Sequence, residues 1–281
     1  MSDSTSNLRT MKKIRVPLIV SLVLIHAPLA GAVTLIQDSF DTLELDESLN
    51  GRAPDISLAG GTWLTNSTNL RGNGTGGVKG FYNFSRNISI DLGAGYFTTN
   101  PGVYQLSMSL KSHEADSNSW VGIGFSEDAV DSSSLSTTDN AARAWVAMRQ
   151  SGSVSVYAGP GATNPLTSGT GLPAVSTSNT EIHTYTVVLD TSLPDWTFQV
   201  LLDGAAIDLG STGNKTHTFD GGLADLRYLM IGASQGGVTS PSGIATIDDF
   251  SFTGPTPVPE PATAIMIALS GISCFLRKRR D

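Results

Sequence analysis

Between residues 33 and 254 apolar and polar positions alternate with a period of two, in short runs. Tyr104, Leu106, Met108 and Leu110 interleave with Gln105, Ser107 and Ser109. Tyr185, Val187 and Leu189 do the same after His183. Trp196, Phe198, Val200 and Leu202 repeat the pattern and end at Asp203-Gly204, a turn dipeptide. Successive side chains of an extended strand point to opposite faces, so such a run buries one face and wets the other. The same reading predicts strands over 33–38, 62–64, 88–92, 120–125, 144–149, 154–157, 216–219, 228–233 and 244–252. No long stretch shows a period of 3.6. About a dozen strands without helices predict an all-β domain, two antiparallel sheets stacked as a sandwich. Segments 66–80, 112–119, 126–141 and 159–180 are rich in Gly, Ser, Asp, Asn or Pro and read as loops. Gly72, Gly74, Gly76 and Gly77 do not make a phosphate loop, because no GK[ST] follows them.

Both ends break this pattern. Lys12, Lys13 and Arg15 precede an apolar stretch, Val16–Leu29, and Ala30-Gly31-Ala32 offers a small-x-small cleavage site. Residues 1–32 therefore read as a secretory signal helix, with Ala30 and Ala32 as the cleavage-site residues, the mature chain beginning near Val33, and Met1 or Met11 as its start. At the other end, 255–261 is a Pro-rich linker. Ala262–Leu276 is a charge-free apolar run, and Arg277, Lys278, Arg279 and Arg280 follow it directly. As a helix the run spans about 22 Å, short of the roughly 30 Å hydrocarbon layer, a gap that thinning and snorkelling close. The four cations read as a stop-transfer cluster on a cytoplasmic tail, 277–281. The two ends together predict export: the 33–254 domain outside the inner membrane, held first by the transmembrane helix 262–276.

Val258, Pro259, Glu260 and Pro261, then a short apolar helix, then the Arg/Lys cluster, resemble the PEP-CTERM sorting signal of Gram-negative bacteria. The resemblance covers roughly 257–281. It implies handling by an exosortase, a membrane-embedded cysteine protease, with release from the inner membrane to the cell surface or the extracellular polysaccharide matrix.

Charge sharpens the picture. The whole chain of 281 residues has a net charge of −8, yet nine basic and 22 acidic residues between 33 and 254 leave that segment at about −13. A basic nucleic-acid face is thereby excluded. The one cysteine, Cys274, lies in the apolar tail, so the domain has no disulfide, thiol nucleophile or cysteine zinc site.

Asp38-Ser39-Phe40, Leu49-Asn50-Gly51-Arg52-Ala53-Pro54-Asp55, Gly61-Thr62-Trp63, His183–Val187, Leu201-Leu202-Asp203-Gly204 and Ile247-Asp248-Asp249-Phe250 together resemble the concanavalin A-like (laminin-G-like) lectin/glucanase jelly roll. The resemblance implies two curved sheets, a sugar-holding face and, in some members, a structural calcium. Asp38 with Asp248 or Asp249 is the metal option if the first and last strands pair. Asp116, Asn118, Glu127, Asp128 and Asp131 are a second, loop-borne one. Trp63, Trp120, Trp145 and Tyr157 are the glycan-stacking candidates, and core packing is the competing role for each. Catalytic residues are not found. In Glu44-Leu45-Asp46-Glu47 the last two carboxylates would face opposite ways on a strand, and no Gly-x-Ser-x-Gly elbow occurs. The leading expectation is a non-enzymatic surface protein that binds or scaffolds extracellular polysaccharide. A structural or adhesive protein without sugar specificity, and a glycan hydrolase or lyase, are the alternatives.

Overall fold

The computed structural model describes residues 31–65, 70–80, 86–112, 120–128, 141–149, 151–160, 162–163, 165–167, 171–177, 181–234 and 245–255. The signal segment up to Ala30, the sorting motif, the apolar run 262–276 and the stop-transfer cluster lie outside them. Among the described residues no helix is long and apolar enough to cross a membrane.

Two antiparallel sheets form the domain. The first runs in the order β14 (Ala205–Ala206), β13 (Trp196–Leu202), β12 (His183–Asp190), β7 (Val103–Ser112), β17 (Ala245–Gly254), β1 (Val33–Asp38) and β2 (Ile56–Ser57). At its margins β15 (His217–Phe219) pairs with β13. β5 (Val78–Gly80) pairs with β17 and with β4 (Leu70–Gly72). The second runs β11 (Val175–Ser176), β10 (Ser153–Tyr157), β9 (Ala142–Arg149), β8 (Trp120–Ser126), β16 (Tyr228–Ser234), β6 (Arg86–Asp91) and β3 (Trp63–Leu64). The expected strands are all present. The additional ones, β2, β4, β5, β11 and β14, are two or three residues long, too short to carry a period of two. The terminal strands pair as expected, with Asp38 opposite Phe250.

The sheets stack through their apolar faces. Tyr104, Leu106, Met108 and Leu110 of β7 meet Val121, Ile123 and Phe125 of β8 and Val146 and Met148 of β9 in one buried cluster. Each such side chain contributes about 1.5–3 kcal/mol when fully buried. Among the described residues one short helix, α1 (Tyr96–Thr99), inserts Phe97 into the sandwich. Its ring meets those of Tyr104 at 4.9 Å and Phe125 at 5.7 Å edge-on. Tyr104 in turn stacks on Phe252 at 5.4 Å, a geometry that adds to simple area burial.

One irregularity decides what β9 presents. Ala144 has φ 43°, and the β8–β9 register shifts between Ile123 and Phe125. This β-bulge lets Ala144, Val146 and Met148 face the core while Ala142, Trp145 and Ala147 face away.

Candidate functional site on the outer face of the second sheet

Strand alternation gives the second sheet an outer face. On β8 the core takes Val121, Ile123 and Phe125, leaving Trp120, Gly122, Gly124 and Ser126 outward. On β16 Leu229 and Ile231 go inward, Tyr228 and Met230 outward. β6 contributes Asn87, Ser89 and Asp91, and β10 contributes Ser155 and Tyr157. Register aligns these residues across the strands. Met230 lies between Ser89 and Gly124, and Tyr157 lies opposite Trp145.

The result is a second apolar cluster, separate from the sandwich core, made of Trp120, Trp145, Tyr157, Tyr228, Met230 and two alanines. Trp145 and Tyr157 stack at 4.4 Å with their planes 18° apart. Trp120 is tilted against Trp145 at 5.7 Å. Gly124 makes the arrangement possible: a Cβ there would lie 2.2 Å from the Trp145 Cβ. On the same face, across Met230 from Gly124, the Ser89 hydroxyl is buried with no partner among the described residues. All of these groups are covered; Trp120, Tyr157 and Tyr228 keep 7% exposure each.

Charges line one end. Arg227 binds Asp91 through Nε at 2.6 Å and through Nη2, and its guanidinium sits 5.2 Å from the Tyr228 ring centre. Burial works to raise the Asp91 carboxyl, but the Arg227 hydrogen bonds and charge and the Gly93 amide together hold it below its ordinary value. Glu127 pairs with Arg143 at 2.7 Å. Burial, with Asp225 and Asp128 nearby, outweighs Arg143 and pushes Glu127 up.

The remaining candidates are placed elsewhere. Trp63 is fully buried in the main core. Its Nε1 donates to Asp38 Oδ2 at 2.7 Å, so it presents no ring to a ligand. Asp38 is buried too. It accepts two contacts from Arg52 Nη1 at 2.8 and 2.6 Å and one from the Phe40 amide at 3.0 Å. With both oxygens engaged by protein donors, Asp38 does not fit a calcium site, although the strand pairing behind that option is present. Asp248 begins, and Asp249 lies within, the irregularity in β17 where its register on β7 shifts before Ser251. Burial and the neighbouring Asp249 and Asp41 raise the Asp248 carboxyl against a hydrogen bond from the Asp249 amide. Among the described residues no three His, Cys, Asp or Glu side chains gather to hold a metal. Of the second metal option, Glu127 and Asp128 are described, with Glu127 held by Arg143. Asp116, Asn118 and Asp131 lie outside the described residues. Glu44, Asp46 and Glu47 are exposed in turns.

The sequence thus nominated three of the aromatics that come together, Trp120, Trp145 and Tyr157, and missed Tyr228, Met230 and Ser89. The signal for Tyr228 and Met230 was their alternation with Leu229 and Ile231 in a strand already predicted. For Ser89 there was none, since an unpartnered hydroxyl shows only in three dimensions.

No family model matches this sequence, and no curated protein sequence matches it. The structure is similar to solved lectin and glucanase domains. An endo-1,3-beta-glucanase from Streptomyces sioyaensis matches at 14% identity over 82% of this chain and 99% of that one, TM-score 0.47. Peanut lectin matches at 13% identity over 82% and 100%, TM-score 0.46. The Emp47p carbohydrate recognition domain matches at 12% identity over 81% and 100%, TM-score 0.43.

Proposed function

We propose that this chain is an exported surface protein whose β-sandwich binds extracellular polysaccharide on the outer face of its second sheet. The observation that carries the reading is the stacked Trp145–Tyr157 pair on a sheet face that also holds, three strands from Trp145, the unpartnered Ser89 hydroxyl. A two-sheet sandwich needs one apolar face per sheet, and this sheet has aromatics on both. Flat rings stack on the apolar face of a pyranose, and a buried hydroxyl without a partner supplies one oriented hydrogen bond. Binding has to displace whatever covers the face, so part of the contact energy goes into opening it and the affinity is modest.

The test is affinity electrophoresis of the full chain, in detergent, against a panel of soluble bacterial polysaccharides. Ser89→Ala should leave the thermal midpoint unchanged or raised and weaken binding about 5–10-fold, one hydrogen bond's worth. Binding that survives both Ser89→Ala and Trp145→Phe unchanged would place the sugar elsewhere. A scaffold or adhesive role without sugar specificity is the second reading, and the near-complete burial of the same aromatics favours it. Self-assembly with no binding to any polysaccharide is its signature.

The export half rests on the tail. The sorting motif Val258–Pro261, the apolar run 262–276 and the cations 277–280 form an ordered triplet suited to exosortase handling after membrane arrest. Glu260→Ala should leave an unprocessed precursor in the membrane fraction, and normal release of that variant would remove the exosortase from the account.

A further inference from the structure

Away from the sugar face, one set of side chains has the connectivity of an activated nucleophile. Thr177 follows the edge strand β11, and its amide donates to the Gly152 carbonyl at 2.8 Å. Its Oγ1 lies 2.7 Å from Nε2 of His183, the first residue of β12. Nδ1 of the same ring lies 2.7 Å from Oδ2 of Asp203. The other Asp203 oxygen accepts the Thr184 amide at 3.0 Å, and Asp203 sits at φ 50° in the turn that joins β13 to β14. The carboxylate is therefore held from two sides. A carboxylate at Nδ1 keeps the ring proton there and leaves the Nε2 lone pair facing the threonine hydroxyl. The His183 side chain is 12% exposed and that of Asp203 52%, so solvent and small solutes reach the cluster.

We propose that Thr177, His183 and Asp203 form a hydroxyl–imidazole–carboxylate relay that hydrolyses small carboxylic esters through an acyl-threonine. The Thr177 oxygen bonds to the ester carbonyl carbon as its proton moves to His183 Nε2. The carbon–oxygen bond to the alcohol then breaks, and the alkoxide takes that proton. Water repeats the sequence: its oxygen bonds to the acyl carbon, its proton passes through Nε2 to Thr177 Oγ1, and the carboxylic acid leaves. Thr177 and His183 are the catalytic residues, and Asp203 is a positioning residue that acts through the ring. The activity is independent of the sugar reading, because it uses other residues in another part of the fold.

The experiment measures p-nitrophenyl acetate turnover by the full chain in detergent, with a fluorophosphonate probe mapped by peptide mass spectrometry. Saturable turnover is expected, with the probe on residue 177. Thr177→Val and His183→Ala should each lower kcat/KM about 100-fold or more, and Thr177→Ser should keep activity. Asp203→Asn should lower kcat while KM stays put. Turnover unaffected by Thr177→Val overturns the proposal, since a lone surface imidazole would suffice for it. A wild-type chain with neither turnover nor label at 177 overturns it as well, and needs no variant to fold. Variants that lower only the melting temperature identify the cluster as a structural clasp and also overturn it.

Discussion

Trp63 donates its indole N–H to Asp38 at 2.7 Å inside the protein. The aromatic offered to a sugar and the carboxylate offered to a metal bind each other instead. Around them Phe40 approaches Trp63 at 5.8 Å and Phe250 packs edge-on at 4.9 Å. Arg52 reaches Asp38 because its loop is stitched to β3, with the Gly51 amide on the Trp63 carbonyl at 2.7 Å and the Trp63 amide on the Arg52 carbonyl at 2.8 Å. Much of the lectin-like motif set, Asp38–Phe40, the 49–55 segment, Trp63 and Phe250, thus converges on one structural knot.

Removing Asp38 should be costly. Asp38→Ala strips the acceptor from the indole N–H and from Arg52 Nη1, while Arg52 Nη2 keeps Thr42 and Asp55, a loss of about 2–4 kcal/mol. Trp63→Phe keeps a ring but loses the donor and some volume, about 1–3 kcal/mol. Because the two groups touch, the double variant should fall short of the sum by about 0.5–3 kcal/mol. Urea denaturation of the four chains checks this; strict additivity would mean the hydrogen bond carries no coupling.

Gly124 should resist substitution. A methyl at this position would sit 2.2 Å from the Trp145 Cβ. Strand and ring must then part, at about 1–3 kcal/mol. Thermal unfolding of Gly124→Ala measures the loss, and near-UV circular dichroism should show the Trp145–Tyr157 signal weakened.

Two buried tyrosines should answer differently to loss of their hydroxyls. Tyr185 is in the core with no hydroxyl partner among the described residues, so Tyr185→Phe should stabilise the domain by up to about 1 kcal/mol. Tyr104 donates to the Asn100 carbonyl, so Tyr104→Phe should cost about 1 kcal/mol. Burial raises both phenols above their ordinary range. An absorbance titration should therefore leave both un-ionised at pH 11 until the chain unfolds.

Acid stability should reflect carboxylates of opposite tendency. Asp91 is held low in the folded state, so its contribution is present above about pH 4 and fades as pH falls through its lowered value. The pair is partly exposed, so Asp91→Asn should cost no more than about 1 kcal/mol at pH 7 and flatten the acid limb. Asp248 is raised: its charge weakens the fold at neutral pH, and protonation relieves this as pH falls. Asp248→Asn should stabilise by a few tenths of a kcal/mol at pH 7, with the gain vanishing at low pH. Melting temperatures between pH 3 and 8 separate the two, and parallel curves for both variants would contradict the assignment.

Legibility followed range. β7, β12 and β13 were readable to within a residue or two, because their alternation is strong and their turns carry Asp and Gly. Asp203 and Gly204 indeed take φ of 50° and 79°, the left-handed pair that a tight hairpin turn requires. β4, β5 and β11 were read as loop, since two or three residues of edge pairing leave no period to detect. The candidate face was half legible. Alternation with Val146 and Met148 turns Trp145 outward, but Ala142 joins it on that face only through the bulge at Ala144, and nothing in the local pattern announces a positive φ at an alanine.

What the amino-acid order alone determined was local: an all-β domain, its strands, its acidic middle and the two charged, apolar ends expected to direct export. Those properties arise within a few neighbouring residues, from side-chain period, turn chemistry and charge spacing. Only the tertiary structure decided the partners: Asp38 with Arg52 and Trp63, Trp145 with Tyr157, His183 with Thr177 and Asp203. Such pairs depend on strand register and sheet order. These are set by the packing of the whole core, and a single-residue shift would turn every side chain of a strand to the other face.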